Sequence, residues 1–218
     1  MSLVTQTAKC SLFIQVIFTC ITGASLFFDY PPEYETVKQI VILETVSQII
    51  EFCYYLYVVY RIKEISTWTR YLDWIFSTPI MLVSTMGCLL FQKDESSILS
   101  DVFSDNNIAP TIIILVSNWV TLLFGFLAET DIINRFIGVT AGMFSFFATF
   151  AVLFANYVRG SGSIGISLFL FTYVVWGMYG VAALQEYTVK NIAYNLLDIV
   201  SKNVYGLFLF IYTLTLIN

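Results

Sequence analysis

KNIAYNLLDIVSKNVYGLFLFIYTLTLI, from Lys190 to Ile217, is apolar enough and long enough to cross a bilayer, yet it carries Asp198 and Lys202 near its middle. A hydrocarbon core of roughly 30 Å takes about 20 helical residues. Ionisable groups at that depth are costly, and they mark ligand counter-ions, proton relays or ion paths. This run therefore predicts both a membrane-spanning helix and a functional one.

Six earlier runs have the same character: 9–28, 35–60, 67–91, 108–128, 131–157 and 163–187, with 190–217 as the seventh. The expected fold is an all-α integral membrane protein, a seven-transmembrane-helix bundle forming one multi-pass domain over residues 1–218. Composition agrees, with 58% hydrophobic and 11% charged residues and a mean hydropathy of +0.81, well outside soluble averages. Connections are short, the longest being QKDESSILSDVFSDNNIAP from Gln92. Pro31 and Pro32 punctuate the first, RGSGSIG from Arg159 the fifth and QEYTVKN from Gln185 the sixth. The first run follows a polar MSLVTQTAK and lacks a small-residue cleavage site, so it reads as a retained helix.

Several function classes drop out. The chain has no histidine, and its four cysteines, Cys10, Cys20, Cys53 and Cys88, show no CxxC spacing. They read as buried thiols, with no metal site. No basic run suggests nucleic acid, and nothing suggests an enzyme. The net charge of −5 comes mainly from loops, including Asp29, Glu33, Glu35, Asp94, Glu95, Asp101 and Asp105, which would share one membrane face. Lys9, Arg61, Lys63, Arg135 and Lys190 lie on the N-terminal side, against Lys38, Lys93 and Arg159 opposite. Taken alone, that count puts the N-terminus in the cytoplasm.

Six ionisable residues inside spans stand out: Glu44, Glu51, Arg70, Asp73, Asp198 and Lys202. Asp198 and Lys202 are four apart on one helical face, which predicts an ion pair between them. Arg70 and Asp73 are three apart on the third helix. The four together would make a neutral cluster, the least costly way to bury that many charges. The plain alternative is two independent packing pairs. A desolvated lysine amine is also a nucleophile towards an aldehyde, and the protonated adduct needs a carboxylate counter-ion.

RYLDWIFSTP from Arg70 and LLDIVSKNVYG from Leu196 resemble the third and seventh helices of the microbial rhodopsins, and the resemblance extends over all seven spans. It implies all-trans-retinal bound to Lys202 as a Schiff base, Asp73 and Asp198 as counter-ions, and Arg70 beneath them. Trp74, Thr78, Met81 and Trp176 would wall the chromophore. An N-terminus outside the cell is also implied, against the charge count. The chain departs from the family's proton pumps at Ser84, where they place a carboxylate donor, and at Glu186 and Lys190, where they place a pair of glutamates. Phe169, Thr172 and Tyr173 replace a Trp and a Tyr-Pro pair on the sixth helix.

Glu44, Gln48 and Glu51 form one stripe on the second helix, with offsets of four and seven. Ser11, Gln15, Thr19 and Thr22 on the first helix and Asn191, Asn195, Asp198, Lys202 and Tyr205 on the seventh have matching spacing. Facing seams of this kind can line a cation path; they can also serve as interhelical hydrogen-bond glue. The stripe resembles the light-gated channel branch of the family and a group of viral rhodopsins. The expected function is a retinal-binding photoreceptor acting as a light-gated cation channel for protons and monovalent cations, in a host cell membrane if viral, with room for a homo-oligomer. An outward proton pump, or a sensory rhodopsin signalling through a separate partner, are the alternatives.

Overall fold

The computed structural model describes residues 2–61 and 66–217, apart from the Arg61 side chain. Lys63 and the Arg61 side chain, both in the charge count above, lie outside the described residues. Seven apolar helical spans long enough to cross a membrane follow one another: α1 (Leu3–Phe27), α2 (Pro32–Tyr60), α3 (Thr67–Lys93), α4 (Ile108–Glu129), α5 (Arg135–Val158), α6 (Gly162–Ala183) and α7 (Tyr187–Ile217). No strand occurs among the described residues. The chain is an all-helical, multi-pass integral membrane protein.

Several boundaries differ from expectation, and two of the shifts have clear local reasons. The first span begins at Leu3 rather than near residue 9, because the Ser2 hydroxyl accepts the Thr5 N–H at 3.2 Å and caps the polar first turns. Apolar content alone misses helical turns that sit in the interface. The sixth ends at Ala183 rather than 187, where the Leu184 and Gln185 N–H groups turn back to Val181 and Ala182.

The spans close into a ring. α1 packs on α2 and α7, α3 on α2, α4 and α6, and α5 on α4 and α6, while α6 meets α7. α3 is the most deeply buried. Large apolar side chains such as Phe13, Phe76, Phe144 and Val181 face outward, as lipid requires. The inward stripe of α1 is polar, with Ser11 and Gln15 buried, so its thiols are turned the other way. Cys10, Cys20 and Cys53 are exposed on the outer surface, and only Cys88 is a buried thiol. The expectation of four buried cysteines fails because this bundle keeps polar groups inside and apolar ones outside.

Close helix approach replaces hydrophobic attraction as the cohesive device between α4 and α5. A Cβ at Gly138 would stand 2.6 Å from the Ala128 Cβ and 2.9 Å from the Phe124 carbonyl oxygen. Gly138→Leu is expected to push the two spans apart and cost about 1 to 3 kcal/mol, read as a lower thermal unfolding temperature in detergent.

α7 is not regular. Ile199–Val204 forms a π-helical turn, and it carries Lys202. Such a wider turn changes the angle between residues four apart and frees backbone groups.

Candidate functional site

The four charges expected to gather in the bundle do so, but paired differently. Arg70 Nη1 lies 3.0 Å from Asp198 Oδ2, and Lys202 Nζ lies 2.7 Å from Asp73 Oδ2, all four side chains being buried. The expected ion pair within α7 is not made: Asp198 and Lys202 each pair across to α3. Two physical reasons combine. α3 and α7, both odd-numbered, run in the same direction, so the lower residue of one meets the lower residue of the other. The π turn then swings Lys202 out of line with Asp198.

A fifth charge joins them. Glu51 Oε1 stands 3.6 Å from Lys202 Nζ. With all groups ionised, two cations face three carboxylates, and the neutrality expected for the cluster holds only if one acid carries a proton.

Hydrogen bonds immobilise the lower pair. Asp198 accepts from Tyr55 OH at 2.7 Å and from Tyr179 OH at 2.8 Å. Arg70 donates to Asn195 Oδ1 and, at 3.4 Å, to Asn191 Oδ1. Tyr55 and Tyr179 escape sequence reading because each is one of 14 tyrosines, and nothing local sets them apart. Asn195, read as a path residue, is here part of the Arg70 network and also donates to Thr7 at 2.8 Å.

Above the cluster, between α3, α4, α5, α6 and α7, an apolar cavity ends on Lys202. The four residues expected as its walls, Trp74, Thr78, Met81 and Trp176, all line it, together with Tyr179 and Tyr194. Glycines bring other walls in closely: a Cβ at Gly125 would meet the Tyr71 hydroxyl at 2.6 Å, and one at Gly180 would collide with the Met143 sulfur. An elongated apolar molecule bearing an aldehyde fits this donor set, with an amine at the cavity's end and a carboxylate 2.7 Å from that amine.

The α2 stripe turns inward as expected. Glu44, Gln48 and Glu51 are buried, and so are Ser11 and Gln15 on α1. Ser11 donates to the Asn195 carbonyl at 2.8 Å, so it ties helices together. The others differ: both oxygens of Glu44 and Glu51, both amide atoms of Gln15 and of Asn203, and the hydroxyls of Thr19, Thr22 and Ser47 are buried without a hydrogen-bond partner. Gln48 Nε2 reaches the Lys202 carbonyl at 3.4 Å. Gly206 lets α7 approach, since a Cβ there would meet Thr22 Oγ1 at 2.8 Å.

At the pump-diagnostic positions, Ser84 Oγ bonds the Tyr205 hydroxyl at 3.2 Å and the Met81 carbonyl at 3.0 Å. Lys190 pairs with Glu129 of α4 at 2.6 Å rather than with Glu186. Sequence could not find that partner, 61 residues away.

A ring of seven spans around a paired amine and an aromatic-lined apolar cavity defines a membrane protein with a site shaped for an extended hydrophobic group. The bacteriorhodopsin-like protein family model matches residues 6–216. The chain belongs to that family, the microbial rhodopsins: retinal proteins of light-driven ion transport and photoreception, and not enzymes. In fold it is similar to viral rhodopsin OLPVRII, with 23% identity over 99% of both chains and a TM-score of 0.86. It is similar also to a blue light-absorbing proteorhodopsin from Med12 (19% identity, 98% of both chains, TM-score 0.76). A third is the light-driven proton pump LR (Mac) from Leptosphaeria maculans (15%, 99% of this chain and 98% of that one, TM-score 0.73). No curated protein matches the sequence.

Proposed function

We propose that this rhodopsin is a light-gated cation channel that holds all-trans-retinal on Lys202. One observation carries the reading: the file of buried, unpartnered polar atoms between α1, α2 and α7, with Glu44 and Glu51 in it, that reaches Lys202. Each such atom costs about 1 to 3 kcal/mol without a partner. A run of them is tolerable where water or a cation completes their bonding. Carboxylates in the file favour cations over anions.

Retinal, when bound, supplies absorption of visible light and a change of shape. The chain's residues do the rest. Asp73 and Glu51 hold a positive nitrogen at Lys202 Nζ, while Arg70, Tyr55 and Tyr179 hold the Asp198 carboxylate in place. Trp74, Thr78, Met81 and Trp176 confine the chromophore and exclude water. A proton passing from the Lys202 nitrogen to Asp73 Oδ2 cancels one cation and one anion. Glu51 then loses its cationic partner and faces the file alone, which draws in water and cations along Glu51, Gln48 and Glu44. Protons and monovalent cations suit a path built of carboxylates and amides.

The short Lys202–Asp73 contact, 2.7 Å, also supports a second reading, an outward proton pump. Ser84, with no carboxyl group to return a proton from the far side, weighs against it. Voltage-clamped cells decide between them. The channel gives photocurrents whose reversal potential follows the cation gradient, and Glu44→Ala together with Glu51→Gln lowers them. Photocurrent of one sign at every voltage overturns the channel and establishes the pump.

A further inference from the structure

Pro79 stands inside α3. Proline has no N–H, so the Ile75 carbonyl four residues earlier lacks its usual backbone donor. At membrane depth no bulk water can replace it. α4 supplies the bond: Trp119 Nε1–H donates to the Ile75 oxygen at 3.1 Å. The residue before it, Asn118, donates to Thr78 Oγ1 at 2.8 Å, and that hydroxyl donates to the Trp74 carbonyl at 2.8 Å. Trp119 lies on the outer surface, 45% exposed. An indole facing lipid is thus anchored to the backbone of the helix that carries Asp73.

The position of the proline matters. Asp73, Trp74 and Thr78 precede Pro79, and Met81 follows it; Trp74, Thr78 and Met81 all line the cavity. Sharp helix bends occur almost always at proline or where a side chain enters the backbone ladder, so a bend at Pro79 would set the width of the cavity wall and how far Asp73 stands from Lys202. We propose that Trp119 is a positioning residue: its indole N–H fixes the bend of α3 at Pro79, and so the placement of Asp73 and Trp74 against Lys202. The inference rests on Lys202 being the retinal lysine and is independent of whether the protein is a channel or a pump.

The four tryptophans give four indole N–H signals in a ¹⁵N spectrum, readable with or without retinal. Trp119 is expected at the downfield position of a hydrogen-bonded indole. Pro79→Ala returns a backbone N–H to the Ile75 carbonyl and should move that signal upfield, also in the retinal-free protein. In the retinal-loaded protein, Trp119→Phe should shift the absorption maximum and change the photocycle decay rate about two- to tenfold, the range one net hydrogen bond spans. In a Pro79→Ala background the same substitution should add nothing. Trp68→Phe, at another lipid-facing indole, 41% exposed, should leave spectrum and decay unchanged.

An indole signal that ignores Pro79→Ala overturns the proposal. So does a Trp119→Phe effect that is equal in both backgrounds, or absent in both. Failure of the retinal-lysine reading looks different: colour survives in Lys202→Ala while the indole signals behave as described.

Discussion

Lys202→Ala protein mixed with all-trans-retinal is expected to show only the band of the free aldehyde, whereas the unaltered protein yields a red-shifted visible band. The loss should be complete, because among the described residues this is the one amine that lines the aromatic cavity, with a carboxylate 2.7 Å away. One other lysine in the spans is fully buried, Lys190, but Glu129 holds its amine at 2.6 and 2.7 Å and it does not line the cavity. Circular dichroism should find the helix content intact: Asp73 and Glu51 lose their cation, which lowers stability, but either can become neutral by binding a proton and so the helices stay folded. A red-shifted band in Lys202→Ala would move the chromophore to another amine and sink the assignment.

Arg70→Gln should produce the largest loss of stability. The guanidinium is wholly buried and its partner Asp198 equally so. Removing one member of a buried, hydrogen-bonded pair leaves the other charge uncompensated, at a cost of about 3 to 5 kcal/mol. Tyr55 and Tyr179 would still donate to Asp198, which keeps the loss from exceeding that range. Thermal bleaching of the pigment reads it directly. A companion Asp198→Asn substitution should recover part of the loss, because the unpaired charge is then gone. An Arg70→Gln protein as heat-resistant as the parent would show that the pair contributes nothing to cohesion.

Much of the cavity was legible from the resemblance to the microbial rhodopsins, which implied Trp74, Thr78, Met81 and Trp176 as walls; all four line it. Gln15, Gln48, Glu44 and Glu51 were legible from spacing, since polar residues repeating at three and four in a membrane helix must turn away from lipid. Their burial follows. The cysteines misled for the converse reason. A thiol is small and apolar enough to face lipid, so its residue type does not fix which side of the helix it takes.

Sequence by itself determined seven spans, their order and six of the ionisable residues inside them, because hydropathy and helical period are local properties written into 20-residue windows. Pairing was not local. Asp198 and Lys202, four apart, had every reason to bond each other until the π turn Ile199–Val204 and the common direction of α3 and α7 sent one to Arg70 and the other to Asp73. Glu51 entered the cluster, Glu129 found Lys190 and Trp119 found the carbonyl that Pro79 left open only when separate helices came into register. Contacts between helices depend on rotation and level of each span relative to its neighbours, and that information lies in the packing of the whole bundle.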